Sequence, residues 1–445
     1  MSRFLMLFGC LAVLLLIAGP ATADDDAGLL ADERWGESGF GLSLRPPAGA
    51  QTVESTTDGA LVTFRVPDEL TMRVYLHQAD DAVTLDQVQE WALGQFLFLF
   101  PSATEVEDDT REQRIAGRPG ARWYLLVPAG DEQWVAGQAF MMIDPQTVAM
   151  FQFESDAHSY RAARRRFEAV LDTVQLLEPA ELDRQRTALV EAGDAWLAEL
   201  TPERIKAALR KRALLRVLEG DRDVGYERRE ARATEKLGEA GLELDVRSRV
   251  MRKPDEAFDT ARSYFMSDDG DTEIWSIVTT QRDVERRRNL NRPSGDSPAA
   301  MDAPRTGNFA DTGLRSGNRI TVSREGATQI NEKQWDVPPE GYLSQVGAYA
   351  MPSLLVEQAR ERSELPPAMA FYAYHPSAGR LALRQVRVEA HDHGGWVVFD
   401  RPAPDRAEQM SIYDVRGRLV ERRMGDGRVF KPATEAELRD AWGNR

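Results

Sequence analysis

The stretch LELDVRSRV, residues 242–250, carries the clearest secondary-structure pattern in the chain. Apolar Leu242, Leu244 and Val246 alternate with charged residues, and the alternation continues to residue 250. A period of two predicts a β-strand with one dry face and one ionic face. The dry face must be buried against another layer, so the stretch predicts an antiparallel sheet around an apolar core.

Strand patterns continue on the C-terminal side of this stretch. Segments 261–266 and 273–281 flank an Asp-Asp-Gly sequence at 268–270, which is typical of a hairpin turn. Phe265 would occupy the first ligand position of an EF-hand calcium loop placed on the same acidic tract, so we favour the turn. Further strands are predicted at residues 319–324, 370–374, 380–390, 395–400, 410–415 and 418–423.

Three features interrupt this series of strands. Residues 342–361 have the apolar pattern of a helix, in which Pro352 forces a start or a kink. At Arg384 and Gln385 the apolar residues of the strand change from odd-numbered to even-numbered positions, which predicts a β-bulge. Residues 289–308 lack periodicity and are rich in Pro, Gly, Ser and Asn, so we predict a mobile loop inside the domain.

Residues 213–432 are therefore predicted to form a larger curved antiparallel β domain wrapped around a helix, followed by a C-terminal helix at 433–445. Many long strands around one helix resemble the half-barrel of LolA-like lipoprotein carriers and related envelope domains. The resemblance implies a concave, helix-covered face that holds apolar ligands. A helical bridge, residues 179–212, precedes this domain as either a rigid spacer or part of its core, and Trp196 favours packing.

The region 39–178 shows the element order strands, helix, strands, helix. Its first helix begins at a capping box formed by Thr84 and Gln87. The end of that helix, FLFLF at 96–100, is apolar on all sides. It is therefore either buried on two sides or an exposed apolar surface that other molecules bind, and we expect burial. The element order predicts an antiparallel sheet with helices on one side.

Two sequences and one helix in this region carry a resemblance. They are GFGLSLRPP at 39–47, the hairpin sequence AGRPGARWYLL at 116–126, and a terminal helix with Tyr160, Phe167 and Leu171. Together they resemble the PsbP-like α/β fold of small secreted and lumenal proteins. The resemblance implies a binding or assembly module without a catalytic site. Another antiparallel α+β sandwich is compatible with the same spacings.

The fold class predicted for the whole chain is α+β. Charged residues are distributed unevenly between the two parts of the chain. Residues 24–178 contain 27 acidic and 12 basic residues, whereas residues 179–445 contain 45 acidic and 43 basic residues. The chain carries a net charge of −16. An acidic surface repels phosphate backbones, so we expect no nucleic-acid binding.

The N-terminus has the pattern of a secretory signal peptide. An apolar run at 4–18 precedes an A-x-A site that predicts cleavage after Ala23 and a flexible segment at 24–38. The alternative is a lipid anchor on Cys10, the single cysteine, but bulky Phe8 does not fit that motif. We expect a periplasmic or extracellular protein with no transmembrane span and, in the mature chain, no thiol chemistry.

Motifs for catalysis are missing from the sequence. It contains no G-x-S-x-G, H-E-x-x-H, Walker, S-x-x-K or G-x-G-x-x-G sequence, so we predict no catalytic residues and no cofactor. His391 and His393 have the spacing that places two imidazoles on one side of a strand, which makes them a candidate metal pair. The adjacent Gly394 and Gly395 favour an exposed hairpin end instead, and no third ligand is identifiable.

These observations leave three hypotheses about function. The first is a non-enzymatic envelope protein that binds or assembles with a protein partner. The second is a carrier of lipid or another apolar ligand in the β-rich domain. The third is a hydrolase with dispersed carboxylates, although paired carboxylates act only when the fold places them across a cleft.

Overall fold

The computed structural model describes residues 28–37, 39–53, 59–79, 81–106, 111–129, 132–209, 212–253, 256–283, 308–325, 330–362, 364–376 and 378–442. The predicted leader, with Cys10 and the cleavage residue Ala23, lies outside these ranges. So does the predicted mobile loop, except that Asn308 begins a strand. The fold is α+β, as expected, and its strands pair antiparallel.

The first part of the chain contains eleven strands and three helices within the described residues. The strands are β1 (Trp35–Glu37), β2 (Leu42–Leu44), β3 (Gln51–Val53), β4 (Val62–Val66), β5 (Leu70–Gln78), β6 (Thr104–Glu105), β7 (Arg111–Ile115), β8 (Arg118–Ala129), β9 (Glu132–Asp144), β10 (Thr147–Asp156) and β11 (Gln175–Leu176). The helices are α1 (Leu85–Leu99), α2 (Tyr160–Asp172) and α3 (Pro179–Ala198).

The remaining elements belong to the C-terminal part. The strands are β12 (Arg212–Glu219), β13 (Arg222–Lys236), β14 (Glu239–Lys253), β15 (Glu256–Ser267), β16 (Thr272–Asp283), β17 (Asn308–Ser316), β18 (Arg319–Glu325), β19 (Ile330–Asp336), β20 (Met369–His375), β21 (Arg380–Ala390), β22 (Trp396–Arg401), β23 (Gln409–Tyr413), β24 (Leu419–Arg423) and β25 (Val429–Pro432). The helices are α4 (Pro202–Ala208), α5 (Gln345–Arg362) and α6 (Glu435–Trp442).

The N-terminal sheet has the order β3-β4-β5-β10-β9-β8-β6, and β7 pairs with β8 at its edge. We expected helices on one side of this sheet, but α1 and α2 cover opposite faces. Phe151 and Phe153 of β10 pack with α2, whereas the alternate residues Val148 and Met150 pack with α1. The middle of β9 is buried on both faces, so both faces need a covering layer.

Helix α1 begins as predicted, with Thr84 and Gln87 forming both hydrogen bonds of the capping box. The expected burial of its apolar C-terminal end is wrong. Phe96 is buried against the sheet, but Phe98 is 80% exposed and Leu99 is 67% exposed. Because the sheet lies on only one side of α1, a helix end that is apolar all round exposes its far side.

The C-terminal sheet contains fourteen strands in the order β19-β18-β17-β16-β15-β14-β13-β12-β25-β24-β23-β22-β21-β20. It curves so strongly that its two ends meet through side chains. Tyr374 of β20 donates a hydrogen bond to Asp311 of β17 at 2.6 Å. The Tyr374 ring also lies 5.0 Å from Trp275 of β16 and 5.9 Å from Trp335 of β19, measured between ring centroids.

Helix α5 lies against the concave face of this sheet and forms its core. Its start is fixed by Glu273 of β16, whose carboxylate accepts a hydrogen bond from the Gln345 backbone N–H at 2.9 Å. A negative charge is favourable at a helix N-terminus, where backbone donors are free. Pro352 lies inside α5, so this residue does not start a new helix.

The bridge packs into the same core, as Trp196 indicated. The Trp196 side chain in α3 is buried, donates a hydrogen bond to Gln358 of α5 at 2.8 Å and contacts the Phe371 ring. Helix α4 begins at the N-cap Thr201, followed by Pro202. None of the helices in the described part of the chain combines the length and the apolar character needed to cross a bilayer.

The β-bulge predicted in β21 does not form. The register of β21 against β20 and β22 runs without a shift through Arg384 and Gln385. Arg384 instead keeps the same strand face as Val386 and forms an ion pair with Asp400 of β22. The parity switch in the sequence therefore marks an inward-facing charge with a partner on the neighbouring strand.

A buried ion pair joins the N-terminal segment to the C-terminal sheet. Glu37 of β1, in a segment that we expected to be flexible, is fully buried and pairs with Arg401 of β22. The same carboxylate accepts hydrogen bonds from the backbone N–H groups of Gly39 at 2.6 Å and Phe40 at 2.8 Å. Strand β1 is thus held in place by its pairing with β2 and by the buried ion pair of Glu37.

Candidate functional site

A cavity of about 1150 Å³ lies between the concave face of the C-terminal sheet and helix α5. Its apolar lining comes from the strands and from the helix, and includes Leu244, Ile277, Ala348, Ala373 and Phe430. The exposed side chains of Arg212, Arg360 and Arg418 also line it, so it reaches the protein surface. The volume lies slightly above the range of about 300–1,000 Å³ that is usual for small-molecule binding sites in proteins.

One buried carboxylate in the cavity is surrounded by three arginines. Nε of Arg229 donates to Oε1 of Glu227 at 2.7 Å. Nη1 of Arg262 lies 3.4 Å from Oε2, and Nη2 of Arg422 lies 3.3 Å from Oε1. We call Glu227, Arg229, Arg262 and Arg422 the arginine cluster. All four side chains line the cavity.

Strand register brings the cluster together. Glu227 and Arg229 are two residues apart in β13, so both side chains point to the concave face. Arg229 is opposite Val246 of β14, and Val246 is opposite Arg262 of β15, which places the two arginines in one row across the sheet. Arg422 enters from β24 on the other side, where it is opposite Phe430.

The arginines determine the charge state of Glu227. Burial alone would raise the pKa of this carboxyl group, because Glu227 is only 4% exposed. The positive charges of Arg229, Arg422 and Arg262 outweigh burial and hold the pKa at about 2. Glu227 is therefore ionised at neutral pH and has no proton to donate.

Arg422 is the least satisfied member of the cluster. Burial, and then repulsion from Arg229, lower the pKa of its guanidinium group. Its Nε atom is buried and has no hydrogen-bond acceptor among the described residues. The guanidinium carbon lies 4.6 Å from the centre of the Phe430 ring, which provides a favourable but weaker contact than a second carboxylate would.

Tyrosines from both the helix and the sheet lie near the cluster: Tyr349 in α5, Tyr264 in β15 and Tyr413 in β23. The Tyr349 hydroxyl in α5 lies 3.5 Å from Nη1 of Arg262, and its ring lies 5.2 Å from the guanidinium carbon of Arg229. Burial raises the pKa of Tyr264 and of Tyr413. These hydroxyl groups therefore remain protonated at neutral pH and are able to donate hydrogen bonds.

The cavity lining carries an excess of positive charge. It includes the eight arginines Arg212, Arg229, Arg262, Arg360, Arg384, Arg418, Arg422 and Arg428, but only the four carboxylates Glu227, Glu357, Asp400 and Asp414. The chain as a whole has a net charge of −16. The cavity is thus a local positive region in an acidic protein, which favours the entry of anions.

The predicted histidine pair lies elsewhere, at the hairpin end between β21 and β22. The rings of His391 and His393 are 5.4 Å apart, and Nδ1 of His391 accepts a hydrogen bond from the His393 backbone N–H at 3.3 Å. Within the described residues, no group of three or more histidine, cysteine or carboxylate side chains is placed to hold a metal ion.

Sequence analysis missed the arginine cluster. A signal for it is present in β13, where YERREAR (226–232) places Glu227 and Arg229 on the face that Ala231 continues toward the core. Two charged residues on the strand face that points toward the core indicate a polar site in the core. The other members carry no such signal, since charged residues are frequent in most strands of this part.

Comparisons with known proteins identify no family and no curated relative, but eighteen solved chains match in structure. One is the cyanobacterial PsbP (CyanoP) of Synechocystis, at 16% identity and a TM-score of 0.26, with 36% of this chain and 99% of that chain covered. Another is a β-barrel-like protein of Brucella abortus with the domain of unknown function DUF1849, at 13% identity and a TM-score of 0.32, covering 50% and 95%. A third comes from Bacteroides thetaiotaomicron, at 12% identity and a TM-score of 0.24, covering 47% and 88%.

The PsbP-like resemblance noted in the sequence therefore has a counterpart among solved structures. None of these three proteins is described as a LolA-like carrier. With such low TM-scores, the likenesses carry no argument about what the chain binds or does.

Proposed function

We propose that the protein is an exported, non-enzymatic binding protein that holds a small ligand in the cavity beside α5. Export is inferred from the signal-peptide pattern that ends at Ala23. The observation that carries the proposal is the cavity of about 1150 Å³ under the concave sheet, with an apolar lining and a compact charged cluster. A cavity with both kinds of lining suits a small ligand that has a polar part and an apolar part.

Three of the four carboxylates that line the cavity, Glu227, Asp400 and Asp414, do not favour the hydrolase hypothesis. Glu227 is held ionised by three arginines, which makes it both unable to act as an acid and a poor base. Asp400 is paired with Arg384, and Asp414 is paired with Arg418. Each is thus engaged with a cation, whereas a general acid needs a carboxyl group whose pKa is raised.

Native mass spectrometry on protein isolated from its natural envelope tests the proposal. We expect a bound mass that is released by denaturation. A Thr279→Trp variant fills part of the cavity and should lower the bound fraction, because Thr279 is on the concave face. Val278→Trp is the matched control, since Val278 is on the opposite face and is 38% exposed.

Two outcomes would contradict this function. One is a protein that carries no extra mass in any preparation from the native envelope. The other is equal ligand loss in the Thr279→Trp and Val278→Trp variants, which would place the ligand outside the cavity. The hypothesis of a protein partner stays a prediction, and the exposed apolar end of α1, with Phe98 and Leu99, is the observation that bears on it.

A further inference from the structure

The arginine cluster has more positive charge than its own carboxylate neutralises. Three guanidinium groups surround Glu227, which leaves two positive charges uncompensated within the cluster. Removing charged groups from water is costly unless a counter-charge and hydrogen bonds replace the lost hydration. A cluster with this imbalance is suited to a second anion.

The distances between the arginines and Glu227 show which arginines are available to bind a second anion. Arg229 donates one strong hydrogen bond to Glu227, from Nε to Oε1 at 2.7 Å, and its Nη2 lies 2.7 Å from the same oxygen without forming a hydrogen bond. Arg262 and Arg422 approach Glu227 only at 3.4 Å and 3.3 Å, beyond the 2.7–2.9 Å of strong charge-assisted hydrogen bonds. Their remaining N–H donors, including the buried Nε of Arg422, are not used by Glu227.

The surroundings indicate what the anion is attached to. The cluster faces a cavity far larger than a single phosphate or carboxylate group, and Leu244, Ile277 and Ala348 line the same space. Of the exposed arginines at its surface end, Arg212 and Arg418 are paired with Glu435 and Asp414, whereas Arg360 adds positive charge along the entry. An anionic head and an apolar tail therefore complement the two parts of the lining.

We propose that Arg262 and Arg422 bind the oxyanion group, a phosphate or a carboxylate, of an amphipathic ligand whose apolar part occupies the rest of the cavity. Arg229 and Glu227 act as positioning residues that hold the two guanidinium groups in place. The inference rests on the proposed function, because it assigns the chemical class of the ligand to the same cavity. The planar fork of arginine matches the geometry of both oxyanions.

Calorimetric titration of the purified protein with four probes tests the inference. The probes are octyl phosphate, octanoate, octanol and inorganic phosphate. We expect octyl phosphate or octanoate to bind at least about 10-fold more tightly than octanol, because charge-assisted hydrogen bonds contribute about a factor of 10 to 100. Inorganic phosphate binding as tightly as octyl phosphate would keep the anion site but overturn the amphipathic ligand, whereas weaker binding supports both parts of the proposal.

Variants distinguish specific binding by the arginine cluster from a general attraction between positive charge on the protein and the anionic probes. Arg422→Gln should weaken octyl phosphate about 10-fold and leave octanol unchanged. Arg418→Gln, which removes the same charge from an exposed position in the cavity lining, should change the affinity less than about 2-fold. Arg422→Lys, which keeps the charge without the fork, should cause a smaller loss than Arg422→Gln and serves if the glutamine variant does not fold.

Failure of the anion site is distinguishable from failure of the cavity as a ligand site. Octanol binding as tightly as the two anionic probes, or equal losses in the Arg422→Gln and Arg418→Gln variants, would overturn the arginine assignment and leave the ligand cavity in place. If none of the four probes binds and the native protein carries no extra mass, both proposals are wrong.

Discussion

Glu227 is the residue on which the charge balance of the cavity depends. Its carboxyl group has a pKa of about 2 in the folded chain, below the value of 4.5 that it has when unperturbed. A lowered pKa contributes stability that is present above about pH 4.5 and is lost as the pH falls toward 2. The cluster is therefore acid-sensitive in a defined pH range.

A Glu227→Gln variant tests this dependence. At pH 7 we expect a loss of about 3–5 kcal/mol in the free energy of unfolding, because three buried guanidinium groups lose their counter-charge. The difference from the wild type should shrink as the pH falls from 4.5 to 3, because Glu227 takes up a proton in the unfolded chain there while the folded carboxylate, with its pKa of about 2, stays ionised. Urea unfolding at pH 7, 4 and 3 measures it.

The control for this variant is Glu219→Gln, which removes an exposed carboxylate paired with Arg222. Exposed pairs contribute little, so the control should resemble the wild type at every pH. A stability gap in Glu227→Gln that is the same at pH 7 and pH 3 would show that the carboxylate is not held ionised by its neighbours.

At the scale of single elements, α1 shows how far periodicity predicts burial. The capping box and the helix follow from local spacing, and both form. Trp91 and Phe96 are both large apolar residues of this helix, yet Trp91 is 56% exposed and Phe96 is 7% exposed. Burial depends on the area of the sheet that lies under the helix, which local sequence does not contain.

Paired substitutions in α1 make this difference measurable. Phe96→Ala should cost about 3–5 kcal/mol of stability, since Phe96 packs against Phe100, Trp123 and Trp134. Phe98→Ala should cost far less, because its side chain is 80% exposed. Denaturant midpoints of the two variants measure both effects, and similar losses would mean that Phe98 is buried in solution.

Strand β21 shows that the sequence of one strand does not determine whether a β-bulge forms. Its strand character follows from the sequence, but the bulge inferred at Arg384 does not form because Asp400 of β22 supplies a partner for an inward-facing charge. A parity switch in one strand has two physical explanations, an extra residue or a paired inward charge. Only the neighbouring strand distinguishes them.

On the scale of the whole molecule, the contact between Glu37 and Arg401 connects segments 364 residues apart. Arg401→Gln would leave the fully buried Glu37 carboxylate with only its backbone donors. Breaking a buried pair in this way costs about 3–5 kcal/mol, so the first melting transition in calorimetry should move to lower temperature. Arg228→Gln, at an exposed pair with Glu230, is the control; equal shifts in the two variants would argue against a structural role for the contact.

Local sequence alone predicts the α+β class, the capping box of α1, the long alternating strands and the presence of one helix within the C-terminal strands. Each of these follows from residues within one or two turns or strands of each other. Only the tertiary structure decided that the sheet leaves a cavity beside α5 and that Arg262 and Arg422 meet Glu227, from which they are 35 and 195 residues distant in the chain. Alternation is a property of neighbours in sequence, whereas the register and curvature accumulated over fourteen strands determine which charges share a buried space.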